Sequence, residues 1–225
     1  MTSQTIDAAI IGDSHATILR QHLAPDFRFQ ASVTAPAKHF FGQFCSDEAG
    51  LHIVEGNLAT QFPNLRPEQF TAMCNARDRL DGQLQPVLET GMTAVSTLGA
   101  STHRFCRTHR LAGASRKMLG AVVAEFCQHY LTFYRGLTAK CPEVYFIVGP
   151  ARYVDGQQLA WQVYDDYMIT QLTEMGVTII DTRADTCDEQ MCLRPEFAAD
   201  DALHGNGAWN DVVRAHLAPH FPVLS

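Results

Sequence analysis

Val144-Tyr145-Phe146-Ile147-Val148 is an unbroken apolar run of strand length, closed by Gly149-Pro150. A strand with no polar side has to be covered on both faces. The flanking sequence supplies such cover. From about Ser115 to Ala139, Leu119, Val122, Val123, Phe126, Tyr130, Phe133, Tyr134 and Leu137 recur every three or four residues. From about Gln157 to Met175, Ala160, Tyr164, Tyr167, Met168 and Leu172 do the same. Ser115 suits the N-cap of the first of these helices. Helix, buried strand, helix is the order that places parallel strands side by side through crossovers.

The rest of the chain repeats the pattern. Ala8 to Ile11 reads as a buried strand, and Ala16 to Leu23 as a short helix with Ile18, Leu19, His22 and Leu23 at helical spacing, stopped by Pro25. Phe27, Phe29, Ala31 and Val33 alternate along a second strand that Pro36 ends. Thr93 to Leu98 is a third strand, Val144 to Val148 the fourth and Val177 to Ile180 the fifth. A last helix, about Ala208 to Leu217, carries Trp209, Val212, Val213 and Leu217. Strands alternating with helices predict a three-layer α/β/α sandwich around a central, mostly parallel five-stranded sheet. Between the second and third strands lies a long insertion. In it, Leu51 to Val54 reads as a short edge strand. Pro67 opens a helix in which Phe70, Met73, Cys74, Leu80 and Leu84 form a stripe ending at Pro86. This insertion is expected to overhang the strand ends and select substrate.

The totals suit one domain over residues 1–225: 46% of the 225 residues are hydrophobic and 18% charged, a globular composition. A formal net charge of -7 argues against phosphate backbones as partners. The densest basic stretch, Arg104 to Lys117, reads as a solvated face. The polar start and short first apolar run predict neither a signal peptide nor a spanning helix, hence a cytoplasmic protein. The seven cysteines show no disulfide framework or four-thiolate spacing and read as small buried residues. Cys187 and Cys192 alone lie close enough in a polar segment to be oxidised together.

Two ends of the chain carry the residues with chemistry. Ile10-Ile11-Gly12-Asp13-Ser14-His15-Ala16 leaves Ser14 at the lip of the sheet, where an α/β fold presents its ligands beside helix N-termini. Just before the last helix stand Asp200, Asp201 and His204. An acidic side chain three residues before His204 can hold one ring nitrogen, leaving the other to take the Ser14 proton. Asp-x-x-His by itself is structural more often than catalytic. Its value lies in the pairing with Gly-Asp-Ser at the opposite end. His103, Cys106 and His109 have spacing a metal can use but lack a fourth ligand, so no metal and no cofactor is expected. His15 reads as a helix-start or pocket-lining residue, Arg152 as a structural ion pair or an anion contact, and Asp185, Asp188 and Glu189 as a solvated acidic loop.

Gly12-Asp13-Ser14 after an N-terminal strand, together with Asp201-x-x-His204 before the C-terminal helix, resembles the SGNH hydrolase superfamily, the GDSL-like esterases. The typical Gly-Asp-Ser-Leu is Gly-Asp-Ser-His here. The resemblance implies a flavodoxin-like fold, with Ser14 as nucleophile, His204 as base and Asp201 as the residue that orients it. It also implies an oxyanion hole drawn from the Ser14 backbone, a second-block glycine whose nearest match is Gly42, and the third-block position. There the usual asparagine is replaced by Ser101, in Gly99-Ala100-Ser101, with Thr102 and His103 adjacent. Asn206 fits a loop-shaping position. The activity so implied is hydrolysis of an ester, an acyl group on a small molecule or carbohydrate. The alternatives are acyl transfer through the same residues, or a binding protein that keeps the fold with a degraded site.

Overall fold

The computed structural model describes residues 4–35, 43–47, 50–54, 64, 66–100, 111, 113–151, 157–201 and 203–225. Its central sheet has five strands: β1 (Gln4–Gly12), β2 (Phe27–Thr34), β5 (Ala94–Ser96), β6 (Val144–Ile147) and β7 (Thr178–Ile180). They lie in the order β2-β1-β5-β6-β7, and each neighbouring pair is parallel. The chain leaves β1 toward β2 on one side and returns to place β5 on the other. The order of strands therefore reverses between β1 and β5, and the crevice beyond their carboxyl ends is the natural ligand position of an open α/β sheet.

Alternating residues of the strands face two cores. Ile10, Tyr145 and Ile147 point to one side, where α1 (Ser14–Leu23) and α6 (Gly207–Leu217) cover them with Ala16, Leu19, Leu23, Trp209, Val213 and Leu217. Ile11, Val144 and Phe146 point to the other side, beneath α2 (Pro67–Thr90), α3 (Arg116–Thr138) and α4 (Gln158–Glu174). The short α5 (Arg183–Thr186) follows β7. This is the three-layer α/β/α sandwich that the alternation of apolar runs predicts. Ser115 caps α3 as expected, its hydroxyl accepting from Met118 N at 3.3 Å. Among the described residues, no helix is long and apolar enough to cross a membrane.

The insertion differs from expectation in two respects. Residues Gly50–Val54 form β4, which pairs antiparallel with β3 (Gln43–Asp47) in a separate hairpin rather than at the edge of the central sheet. Leu51 and Ile53 are buried in the core under α3, and Leu51 reaches Gly136 so closely that a Cβ there would meet it at 2.8 Å. The apolar face of β4 is thus satisfied by a helix. The second difference is that α2 runs through Pro86 to Thr90. An interior proline removes one donor and crowds the carbonyl four residues back. Here that residue is Gly82, which is exposed, so water can serve the freed carbonyl. The buried residues Leu84, Val87 and Leu88 continue the stripe past the proline and hold the last turn. The described parts of the insertion serve the core of this face.

The turn from β1 into α1 depends on Gly12. Its φ is +155°, which L side chains rarely adopt, and an added Cβ would lie 2.2 Å from Thr97 Oγ1 and 3.1 Å from the Thr97 backbone nitrogen. Thr97 is itself fixed, its N–H donating to Ile11 O at 3.1 Å. Gly12→Ala is expected to destabilise the fold by about 2–4 kcal/mol, lowering Tm by roughly 5–15 °C. A thermal melt superimposable on the parent's would refute the close-approach argument.

Candidate active site

Ser14 is the first residue of α1, and Asp13 is its N-cap. This start of the helix follows the last residue of β1 at the reversal of strand order, so the Ser14 hydroxyl stands in the crevice. The Ser14 backbone N–H, in the first turn, has no acceptor within its helix. The N-terminal end of α1 also brings its partial positive charge to this spot.

His204 arrives from the other end of the chain. The segment between the 3₁₀ turn Pro195–Phe197 and α6 is folded back on itself by Ala199 N–H donating to His204 O at 3.1 Å and Asn206 N–H donating to Phe197 O at 2.8 Å. Asn206 serves both sides of the junction. Its Oδ1 accepts from Trp209 N at 3.2 Å as the N-cap of α6, and its Nδ2 donates to Glu196 O at 2.8 Å. It shapes the loop, as the sequence leads one to expect. A His22–Asp211 pair at 2.8 Å links α1 to α6 from the solvent side.

These supports bring the three predicted residues into one chain of hydrogen bonds. Asp201 Oδ2 and His204 Nδ1 are 2.7 Å apart, and His204 Nε2 and Ser14 Oγ are 2.8 Å apart. An ionised carboxylate can only accept, so Nδ1 carries the proton, and Nε2 is left to accept from the Ser14 hydroxyl. Asp201 does more than face the ring. Its Oδ1 accepts from the backbone N–H of both Leu203 and His204, each at 2.7 Å. Burial nudges its carboxyl upward, but the hydrogen bonds from the His204 ring and from the two backbone N–H groups outweigh this and hold it well below the usual carboxylate range. Asp201 therefore stays ionised wherever an imidazole can be neutral. Asp200, the neighbouring candidate, takes no part in this chain.

The crevice beside Ser14 and His204 is lined by His15, Ala100, Pro150, Trp161 and Leu203, so that His15 lines the pocket. Apart from Ser14 and the two histidines this is a largely apolar surface, suited to an acyl chain or a sugar face. Two tyrosines of the α3 and α4 stripes support the loop that follows β5. Tyr134 Oη donates to Leu98 O at 2.8 Å and Tyr164 Oη donates to Gly99 O at 2.9 Å. Both hydroxyls are buried, which raises them far above the ordinary phenol range and keeps them donors. By helical spacing these tyrosines read only as core. Their polar function is invisible to periodicity, because the partners are backbone carbonyls.

Gly42, Ser101, Thr102, His103, Cys106, His109 and Arg152 lie outside the described residues. Among the described residues, no group of three or more His, Cys, Asp and Glu side chains is placed to hold a metal ion. Cys187 and Cys192 are free thiols. Asp185, expected in a solvated acidic loop, is paired with His216 at 2.7 Å.

The sequence matches no protein-family profile and no curated protein. It is similar in fold to solved structures. One, from Streptococcus pneumonia and provisionally named a platelet activating factor, superposes with a TM-score of 0.52 at 11% identity, over 98% of this chain and 85% of that one. Another is LAE5, described as an alpha/beta hydrolase enzyme from the metagenome of Lake Arreo, Spain, with a TM-score of 0.47 at 12% identity over 100% of this chain and 98% of that one. At 11% identity the likeness to the first is one of fold.

Proposed function

We propose that the chain is a serine hydrolase of the SGNH type, cleaving an ester of a small molecule or a carbohydrate-linked acyl group. The reading is carried by the continuous chain from Ser14 Oγ through His204 to Asp201, at 2.8 and 2.7 Å. Ser14 Oγ attacks the ester carbonyl while its proton passes to His204 Nε2, and the imidazolium so formed is met by the Asp201 carboxylate. The charge that appears on the carbonyl oxygen is received by the Ser14 backbone N–H at the positive end of α1. His204 then gives the proton to the departing alcohol oxygen as the ester C–O bond breaks, leaving an acyl-serine. Water, deprotonated by the same nitrogen, attacks that acyl group, and the carboxylic acid leaves as the Ser14 hydroxyl is restored. Every step uses groups of this chain. The apolar crevice formed by Ala100, Pro150, Trp161 and Leu203 holds the acyl or alcohol portion.

A fluorophosphonate probe tests the reading directly, because it phosphonylates a serine that has an adjacent base. Peptide mapping is expected to find the adduct on Ser14 of the folded protein and not of the heat-denatured chain. A folded protein that stays unlabelled would overturn the proposal.

A further inference from the structure

His15 follows Ser14 in sequence, yet its ring belongs to none of the hydrogen bonds of the Ser14–His204–Asp201 chain. It is nonetheless buried among them, 6% exposed, beside Asp13 at 4%. Its ring centroid lies 4.8 Å from that of His204, with the planes tilted by 51°. A buried acid–base pair survives only when its polar atoms are met, and here they are met from several sides. Asp13 Oδ1 accepts from His15 Nδ1, from the His15 backbone N–H and from Thr97 Oγ1, each at 3.1 Å. With Leu203 and His204, the ring also lines the crevice.

The N-cap of α1 needs only the His15 backbone N–H. Any residue supplies that, so the ring is surplus to helix formation. Its placement bears instead on the ring of His204. The N–H of His204 is held by Asp201, while the His204 ring is flanked by the ring of His15. We propose that His15, anchored on Asp13, is a positioning residue for His204, its ring packing against the imidazole and so setting the line along which that imidazole meets Ser14. This rests on His204 being the base of the reaction proposed above.

The charges agree with that role. Burial opposes a charge on His15, but the Asp13 carboxylate, the hydrogen bond to Asp13, the neighbouring Leu203 backbone and Asp201 prevail and raise its imidazole above the ordinary value. Burial would likewise lift Asp13, yet the His15 charge and the hydrogen bonds from His15 and Thr97 leave it below the ordinary value. Asp13 is therefore ionised in the neutral range, and His15 keeps its proton to higher pH than a free imidazole does. The titratable and charged groups facing it are His204 and Asp201 from the loop before α6 and Tyr134 from α3. β5 contributes the uncharged Thr97.

Steady-state ester hydrolysis against pH, with His15→Ala, His15→Gln and Asp13→Asn/His15→Ala, tests the inference. In His15→Ala, kcat is expected to fall about 10- to 100-fold with KM within about 2-fold of the parent, since misplacing a reacting group costs that much. Its acid limb is expected to move up by about half a pH unit, because the Asp13 carboxylate, left alone, favours a protonated His204. Removing that carboxylate in the double variant is expected to return the limb to its parental position while kcat stays low. His15→Gln, which still offers a donor to Asp13 and fills part of the space beside the His204 ring, is expected to recover a several-fold share of kcat. If His15→Ala does not fold, the same readouts on His15→Asn against His15→Gln decide, the Asn amide falling one methylene short. A variant with parental kcat and parental acid limb overturns the inference, and so do uniform losses with an unmoved limb. A parent protein that is labelled and active while these variants behave like it refutes the His15 role alone. A parent that is neither labelled nor active refutes this and the underlying reading together.

Discussion

Ser14→Ala is expected to lower kcat/KM for short p-nitrophenyl esters by about 10⁴- to 10⁶-fold and to remove fluorophosphonate labelling. The size follows from covalent catalysis by residues acting as a unit: without the hydroxyl there is nothing for His204 to deprotonate, and only binding and oxyanion contacts remain. For the same reason His204→Ala should be about as damaging, and the double variant little worse than either single one. Ser14 is half-buried on the first turn of α1, with its side chain toward the crevice, so the alanine variant should fold as the parent does. Activity or labelling that survives Ser14→Ala would mean that the reactive group lies elsewhere.

Asp201→Asn is the second large effect. The amide oxygen can still accept from the backbone N–H groups of Leu203 and His204, so the loop should keep its shape. What changes is the partner of His204 Nδ1. An amide that turns its NH₂ toward the ring makes Nδ1 the acceptor and puts the proton on Nε2, where it blocks transfer from Ser14. A fall of about 10³- to 10⁴-fold is expected, in line with the loss when such a carboxylate becomes an amide in other triads. The Asp201 side chain is 53% exposed, so its Coulomb attraction for the imidazolium is screened by water, and tautomer control is the larger part of its work. Because Asp201 is held below the usual carboxylate range, it titrates only in acid. The deficit of the Asn variant should therefore persist unchanged from about pH 6 to 9. A loss under 10-fold would reduce Asp201 to a loop-forming residue.

The sequence made these three residues legible for a physical reason. Each sits where a regular element ends, and turns at the carboxyl edge of a parallel sheet gather in one place whatever their separation along the chain. In the sequence only the resemblance to the SGNH hydrolases separates Asp201 from Asp200, and in the structure it is Asp201 that meets the ring. The buried run at Val144 and the helical stripes on either side of it were equally readable, because periodicity follows burial. Other features depend on contacts that leave no period. The β3–β4 hairpin owes its place to the room beside Gly136, and the continuation of α2 past Pro86 owes its tolerance to an exposed Gly82. The Asp13–His15 pair arises because the N-cap conformation, φ −84° and ψ −152°, turns a side chain back over residues two positions on. No alternation or stripe reports that geometry.

One feature of the connectivity bears on the life of the chain before it is folded. Ser14 and His204 are 190 residues apart. At ordinary rates of synthesis the serine is made roughly 10–40 s before its histidine exists. During that time it is one hydroxyl among many, no more reactive than the others. On the proposed function it becomes a nucleophile only once α6 packs beside α1 and brings His204 to it. On this reading completion of the fold and ignition of the nucleophile are one event, and a nascent or broken chain carries no stray acylating centre.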